Sequence, residues 1–125
     1  MVGRMTGFLF VGLGGAVGAM LRYAISLMPY RGTFPMLTLI TNVMGAVLIG
    51  FVAGVAVKHE LPDNVVKFLK TGICGGFTTF STFSLETYNL CDSGKYILAG
   101  VYALLSVILC FAGIVLGMYL SERTR

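Results

Sequence analysis

The sequence predicts an all-α membrane protein with four transmembrane helices, the third of which is broken near its middle. Three observations support this prediction. Of 125 residues, 57% are hydrophobic and only 11% are charged, the charged residues lie between long apolar runs, and 17 glycines are spread along the chain. A soluble domain normally carries about 25% charged residues, so most of this surface must face lipid. No hydrophilic block is long enough for a second domain, and residues 1–125 are predicted to form one four-helix membrane domain.

Four apolar stretches are expected to be the spans. The first is residues 6–21, extended past Arg22 to residue 28, and the third is residues 65–90, which carries Lys67, Lys70 and Glu86 near its ends. The second and fourth, residues 36–57 and 96–120, contain no charged residue. Each of these two reaches the roughly 20 residues that a helix needs to cross a hydrocarbon core of about 30 Å.

The connections between these stretches are short. They are residues 29–35, 58–64 and 91–95, so neighbouring helices are expected to lie antiparallel, with no room for a soluble catalytic head. Each span also contains two glycines four residues apart, a spacing that lets helix backbones approach closely in lipid. The pairs predict a tightly packed bundle that assembles as an oligomer: Gly14/Gly18, Gly50/Gly54, Gly72/Gly76 and Gly113/Gly117.

The third span contains the stretch least suited to a helix. A helix that begins at Asp63 is expected to break at Gly75-Gly76, which Thr78-Thr79 follows closely. Two interpretations stay open. The break is a packing kink in which threonine hydroxyls satisfy the freed backbone groups, or it is an ion site in which freed carbonyls bind a hard cation such as Na⁺.

Phenylalanines follow the break at helical spacing. Phe80 and Phe83 are three residues apart and share a helix face, whereas Ser81, Ser84 and Glu86 are expected on other faces. A stripe of this kind is usually core packing. The edge of a phenyl ring carries partial positive charge, however, so the two rings could instead line a path for an anion.

Several polar side chains are predicted within the other spans. Asn42 either forms an interhelical hydrogen bond or donates to a ligand, and Arg22 either reaches the membrane interface or lies at the mouth of an anion pathway. The full set consists of donors, without an acid deep in a span, which suits an anion: Arg22, Thr38, Thr41, Asn42, Tyr102 and Ser106.

Together these residues make the chain resemble the Fluc (CrcB) family of small fluoride channels. The most specific match is GICGGFTTFSTFS, residues 72–84, and the resemblance extends over essentially the whole chain. It implies passive fluoride export across the bacterial plasma (inner) membrane. It also implies an antiparallel homodimer, inserted in both orientations, with two pores to which both subunits contribute.

The resemblance assigns roles to individual residues. It implies pore phenylalanines at Phe80 and Phe83, a pore asparagine at Asn42 and a vestibule arginine at Arg22. A hydroxyl track falls on Ser81 and Thr82, and further polar lining falls on Thr38, Tyr102 and Ser106. The structural Na⁺ would be bound by the carbonyls of Gly75 and Thr78 from both subunits. Cys110 is the next residue on the fourth-span face; because a thiol donates weakly, it is not assigned to the pore.

Other classes of function fit the sequence less well. A small multidrug exporter, the main alternative, needs a membrane-buried carboxylate to carry protons, and the only candidate, Glu86, is near the end of its span. A structural membrane subunit is disfavoured by Arg22 and Asn42. No nucleophile–base pair or metal cluster indicates an enzyme, and the net charge of +4 is too dispersed for a nucleic-acid surface.

Overall fold

The computed structural model describes residues 1–125 and contains helices joined by short connections, without strands. The elements in chain order are α1 (Val2–Ser26), α2 (Met36–Lys58), α3 (Asp63–Val66), a π-helical segment (Lys67–Cys74), α4 (Gly75–Phe77), α5 (Phe80–Asp92) and α6 (Tyr96–Glu122). The all-α prediction is confirmed. Three helices, α1, α2 and α6, are long and apolar enough to cross a membrane, and the chain is a multi-pass membrane protein. A fourth span stays a prediction, because the intervening residues form shorter helices.

α3, the π-helical segment and α4 follow one another without interruption, and we call residues 63–77 the composite helix. It begins directly after Pro62 with Asp63 in its first turn, the positions that proline and acidic residues favour at a helix N-terminus. Lys67–Cys74 has π-helical geometry, in which hydrogen bonds join residues five apart. Nothing in the sequence analysis predicts this segment.

The composite helix continues through Gly75-Gly76, and the chain is interrupted three residues later than expected. Gly75 has helical dihedral angles, and the extended residues are Thr78 (φ −86°, ψ 155°) and Thr79 (φ −149°, ψ 119°). A Cβ on Gly76 would lie 2.5 Å from the Gly15 carbonyl oxygen, so this glycine serves close packing inside the helix. The β-branched threonines favour extended backbone. We call Thr78–Thr79 the break.

Glycines bring α1 into backbone contact with the composite helix. A Cβ added to Gly14 would lie 2.3 Å from the Phe68 carbonyl oxygen, and one added to Gly18 would lie 2.2 Å from the Ile73 carbonyl oxygen. Real Cβ atoms do not tolerate such distances, so only glycine fits. The prediction of close glycine packing is confirmed for this pair of elements.

α2 and α6 pack together in the same way. A Cβ on Gly50 would lie 2.4 Å from the Ile114 carbonyl oxygen, and one on Gly117 would lie 2.1 Å from the Val47 carbonyl oxygen. At the end of this pair the Lys58 ammonium donates to the carbonyl of Glu122 at 2.9 Å. The bundle therefore consists of two closely packed helix pairs.

α5 connects these pairs and packs mainly on α6. Its N-cap is Thr79, whose hydroxyl accepts a hydrogen bond from the Thr82 amide at 3.2 Å. Below it lies a small apolar core to which α2, α5 and α6 contribute: Leu39, Leu90, Ala99 and Tyr102. Only 19 of 125 residues are buried, so most of the apolar surface of the single chain is free to contact lipid or another chain.

Candidate functional site

The break is held by one amide side chain. The Asn42 Nδ2 donates to the Thr79 carbonyl oxygen at 3.1 Å, and the Thr79 backbone N–H donates to Asn42 Oδ1 at 2.8 Å. Extended backbone within a helical bundle leaves both groups without helical partners, and burying them unpaired would be costly. The interhelical hydrogen bond considered for Asn42 therefore exists, and it is made to the break itself.

Arg22 also contacts the end of the composite helix. Its Nε donates to the Gly76 carbonyl oxygen at 3.1 Å, and the side chain is half-buried. The last carbonyls of a helix lack intrahelical partners, so Arg22 satisfies one of them. The guanidinium is held beside the break instead of extending away from it.

The two residues predicted to bind sodium lie on either side of Gly76 and Phe77. Gly75 is exposed in the single chain, and the nearest atom to a Cβ built there would be the Lys70 carbonyl oxygen at 3.9 Å. Thr78 is half-buried, and its hydroxyl donates to the Cys74 carbonyl oxygen at 2.8 Å. The space beside Gly75 is therefore open on the outer surface of the chain.

A cavity of about 350 Å³, which we call the break cavity, opens beside Thr78 and Thr79. Ser106 is 7% exposed, and its hydroxyl has no hydrogen-bond partner. Twelve residues line this cavity, and most of the seven without a predicted role are apolar. The other five are predicted site residues: Asn42, Thr78, Phe80, Phe83 and Ser106.

A second cavity of about 130 Å³, the polar cavity, lies on the Arg22 side. Thr79 lines both cavities, so the break lies between them. Most of the lining of the polar cavity is polar, and three predicted site residues contribute to it: Arg22, Thr38 and Thr82.

Glu86 is the site residue that the sequence analysis missed. Its carboxylate accepts from the Thr38 hydroxyl and from the Tyr102 hydroxyl, both at 2.7 Å, and it lines the polar cavity. The expectation that Glu86 turns away from the phenylalanine face is wrong. Glu86 is three residues after Phe83, and that spacing places both on one helix face. The polar groups between the helices therefore include an acceptor as well as donors.

The two pore-assigned phenylalanines have different surroundings. Phe83 packs against the buried Tyr102 ring with centroids 5.2 Å apart, and Phe34 contacts the same ring edge-on at 5.4 Å. Phe80 lies 5.5 Å from Phe83 but is 78% exposed. Core packing therefore accounts for Phe83 in part, whereas Phe80 has no such explanation within the single chain.

The remaining site residues lie at the edge of these cavities. Ser81 is exposed, with its hydroxyl 3.3 Å from the Thr79 hydroxyl, which in turn donates to Thr82 Oγ1 at 3.1 Å. Three hydroxyls thus follow one another at the start of α5. Tyr102 is completely buried and lines neither cavity.

Comparison with known proteins identifies the family of the chain. The family model described as "CrcB-like protein, Camphor Resistance (CrcB)" matches residues 9–118, which include the break and both cavities. The chain belongs to the CrcB family.

Individual CrcB relatives match over nearly their whole length. The "Fluoride-specific ion channel FluC" of Ruminiclostridium cellulolyticum is 46% identical over 124 residues, covering 95% of each chain. A protein of the same name from Azobacteroides pseudotrichonymphae is 40% identical over 116 residues, covering 90% of this chain and 93% of the relative. The recognition of the family from residues 72–84 is confirmed.

Proposed function

We propose that this protein is a fluoride channel that releases fluoride passively from the cell, and that it is not an enzyme. Relatives with the name of fluoride-specific ion channel align with nearly the whole chain, and this observation carries the proposal. The break cavity supports it, because the cavity combines aromatic rings with a buried hydroxyl that has no partner in the protein.

The proposed path follows the break cavity. Fluoride holds its hydration water tightly, so a path must replace that water with fixed donors without binding the ion too tightly for release. The ring edges of Phe80 and Phe83 and the free hydroxyl of Ser106 would supply such donors. Residues assigned to the same path are Asn42, Ser81 and Thr82. Arg22 and Thr38 line the polar cavity, and Tyr102 donates to Glu86 at its edge.

Flux from liposomes tests the proposal. Vesicles containing the purified protein are loaded with potassium fluoride or potassium chloride, and valinomycin supplies the balancing potassium current. We expect release of fluoride and little release of chloride, with empty vesicles as the control. Equal release of both anions, or none of fluoride, would disprove a fluoride channel.

The exporter alternative gains no support from the site. It requires a carboxylate that is free to exchange protons with a cationic substrate. Both oxygens of Glu86 already accept hydroxyl hydrogen bonds, from Thr38 and from Tyr102. The relatives are also named as ion channels, so a channel is the better assignment.

The complete channel would be an antiparallel homodimer in lipid, with a Na⁺ at its centre and two pores. The exposed Gly75 and the interrupted backbone at Thr78 support this part of the proposal, since carbonyls from two chains could meet around one cation. No group of three or more His, Cys, Asp or Glu side chains offers an alternative metal site. Diffraction from crystals grown in sodium should reveal a cation coordinated by Gly75 and Thr78 carbonyls of two chains; continuous helix or solvent there would contradict it.

The antiparallel arrangement requires insertion in both orientations. Lysine and arginine alone would favour one orientation, with six on the side of both termini and three on the other. With the native cysteines removed and one cysteine added in residues 29–35, about half of the copies in intact cells should react with an impermeant thiol reagent, as dual insertion requires. Labelling of nearly all or nearly none would exclude dual topology.

A further inference from the structure

Two side chains on α6, Ser106 and Cys110, bring a hydroxyl and a thiol together in the break cavity, and the thiol has no role in the proposed fluoride path. Ser106 and Cys110 are four residues apart, so they are neighbours on one helix face, and both line the cavity. The Ser106 hydroxyl is buried without a partner, which is unusual because buried polar groups are nearly always paired. The Cys110 thiol is free and half-buried. A hydroxyl without a protein partner and a free thiol are therefore neighbours on this helix face.

The remaining cavity lining limits which ligand these atoms could take. Asn42 is already engaged with Thr79, and most of the other residues that line the cavity are apolar, including Ala46, Val107 and Ile114. No carboxylate lines the cavity, so a hydrated hard cation finds too few oxygen ligands. A thiol favours soft metals instead. With one sulfur available, the cation must be satisfied by a single protein thiolate.

We propose that Cys110 forms a modification site for soft metal cations of the organomercury type, with the Ser106 hydroxyl as the adjoining polar contact. In the reaction with methylmercury chloride, the Cys110 S–H bond breaks and its proton passes to the buffer. A sulfur–mercury bond forms and chloride leaves the metal, with no change in oxidation state. The cavity of about 350 Å³ has room for the methylmercury group.

The other two cysteines provide matched comparisons within the same chain. Cys74, the last residue of the π-helical segment, is only 1% exposed. Cys91 is half-buried near the end of α5, where it packs against the apolar core formed around Leu90. Neither residue lines the break cavity. The three thiols therefore differ in surroundings while sharing one folded protein.

Modification of Cys110 should also affect fluoride release, an expectation that rests on the proposed function. If anions pass through the break cavity, a methylmercury group on Cys110 occupies part of their path. Fluoride release should then fall after treatment of the wild-type protein. The treated and untreated Cys110→Ser proteins should release fluoride at the same rate as each other.

The site itself is tested without reference to transport. Folded wild-type protein in detergent is treated with methylmercury chloride, digested, and mapped by mass spectrometry at successive times. We expect Cys110 to react about tenfold faster than Cys74, since access controls thiol reactivity. Ser106→Ala should make the Cys110 adduct about fivefold easier to reverse with glutathione, the effect of one modest polar contact.

Two results would overturn the proposal: labelling of Cys110 no faster than of Cys74, or an adduct whose reversal is unchanged in Ser106→Ala. Rapid labelling in a protein that releases no fluoride, treated or untreated, would leave this site intact and refute the channel function instead. The comparison of Cys110 with Cys74 uses the wild-type chain alone, so it decides whether Cys110 is the modification site even if Ser106→Ala fails to fold.

Discussion

The composite helix and α5 lie on either side of the break, yet they are stabilised in opposite ways. The composite helix is in backbone contact with α1 through Gly72 and Gly76. α5 leaves most of its outer face uncovered, with Phe80 78% exposed and Leu85 60% exposed. The composite helix is therefore stabilised by contacts within the same chain. α5 instead exposes large side chains that have few contacts within the chain. Such exposure is expected of a helix that contacts an ion or a second subunit.

The difference also appears in the polar groups. At the end of the composite helix, Arg22 and Thr78 satisfy carbonyls, so polar groups close the helix. Along α5, hydroxyls follow one another from Thr79 to Ser81 and Thr82, two of them in half-buried residues. We therefore expect substitutions on the α1 side to affect mainly stability, and substitutions on the α5 side to affect mainly transport.

The largest effect is expected at the contact between α1 and the composite helix. In Gly18→Val, the new Cβ would lie 2.2 Å from the Ile73 carbonyl oxygen and 2.8 Å from the Phe77 nitrogen. Backbone atoms cannot move aside cheaply, so the free energy of unfolding should fall by about 3 kcal/mol. Gly12→Val is the control, because nothing lies within 4 Å of a Cβ at that position. Equal thermal midpoints for the two variants in detergent would show that this contact does not hold the helices together.

The α5 side is tested at its phenylalanines. Phe80→Ile and Phe83→Ile should each reduce fluoride release to the level of empty vesicles, since isoleucine lacks the positive ring edge. Only Phe83→Ile should also lower stability, by about 1 kcal/mol, because it loses an aromatic contact with Tyr102. Phe111→Ile, at an exposed position outside the break cavity, is the control. Undiminished release by both pore variants, measured in folded protein, would make the rings packing residues only.

Much of the fold could be predicted from the sequence. The two charge-free apolar stretches predict the ends of α2 and α6 to within two residues. A long apolar stretch in lipid must be helical, because the backbone groups there can be satisfied only within the segment. The interruption at Thr78–Thr79 lies three residues after the adjacent glycines that predict it. Adjacent glycines lower helix propensity, but they also allow backbones to touch, and sequence alone does not reveal that Gly76 touches Gly15. At Gly76 the close contact with α1 therefore outweighs the low helix propensity of glycine.

Glu86 and the π-helical segment illustrate what could not be predicted. Glu86 was judged by its distance from the end of an apolar run, whereas its position is set by its spacing from Phe83 and by two hydroxyls from other helices. The π-helical segment Lys67–Cys74 has no composition that distinguishes it from an α-helix. For Glu86 the two hydroxyl partners are 48 and 16 residues away in the sequence.

An intermediate effect is expected where the two regions meet. Asn42→Ala removes both hydrogen bonds to the Thr79 backbone and leaves a partly buried N–H and carbonyl unpaired. The free energy of unfolding should fall by about 2 kcal/mol, and amide hydrogen exchange at residues 78–82 should accelerate more than exchange in α1. Asn89→Ala, at an exposed position on α5, is the control. Unchanged exchange at the break in Asn42→Ala would mean that the backbone there holds its shape without the amide.

The smallest effect is expected at the link between α5 and α6. Tyr102→Phe removes the hydroxyl that donates to Glu86 but keeps the ring that packs between Phe34 and Phe83. Glu86 retains its bond from Thr38, so the loss should be about 1 kcal/mol. Combining Tyr102→Phe with Glu86→Gln in a double-mutant cycle isolates what the charge contributes to the contact, because the glutamine still accepts a hydrogen bond but lacks the charge. A coupling energy clearly above zero would show that the charged carboxylate fastens α5 to α6. Strict additivity would mean that the charge of Glu86 adds nothing to this contact, so that a neutral acceptor together with the ring packing of Tyr102 is enough to hold α5 against α6.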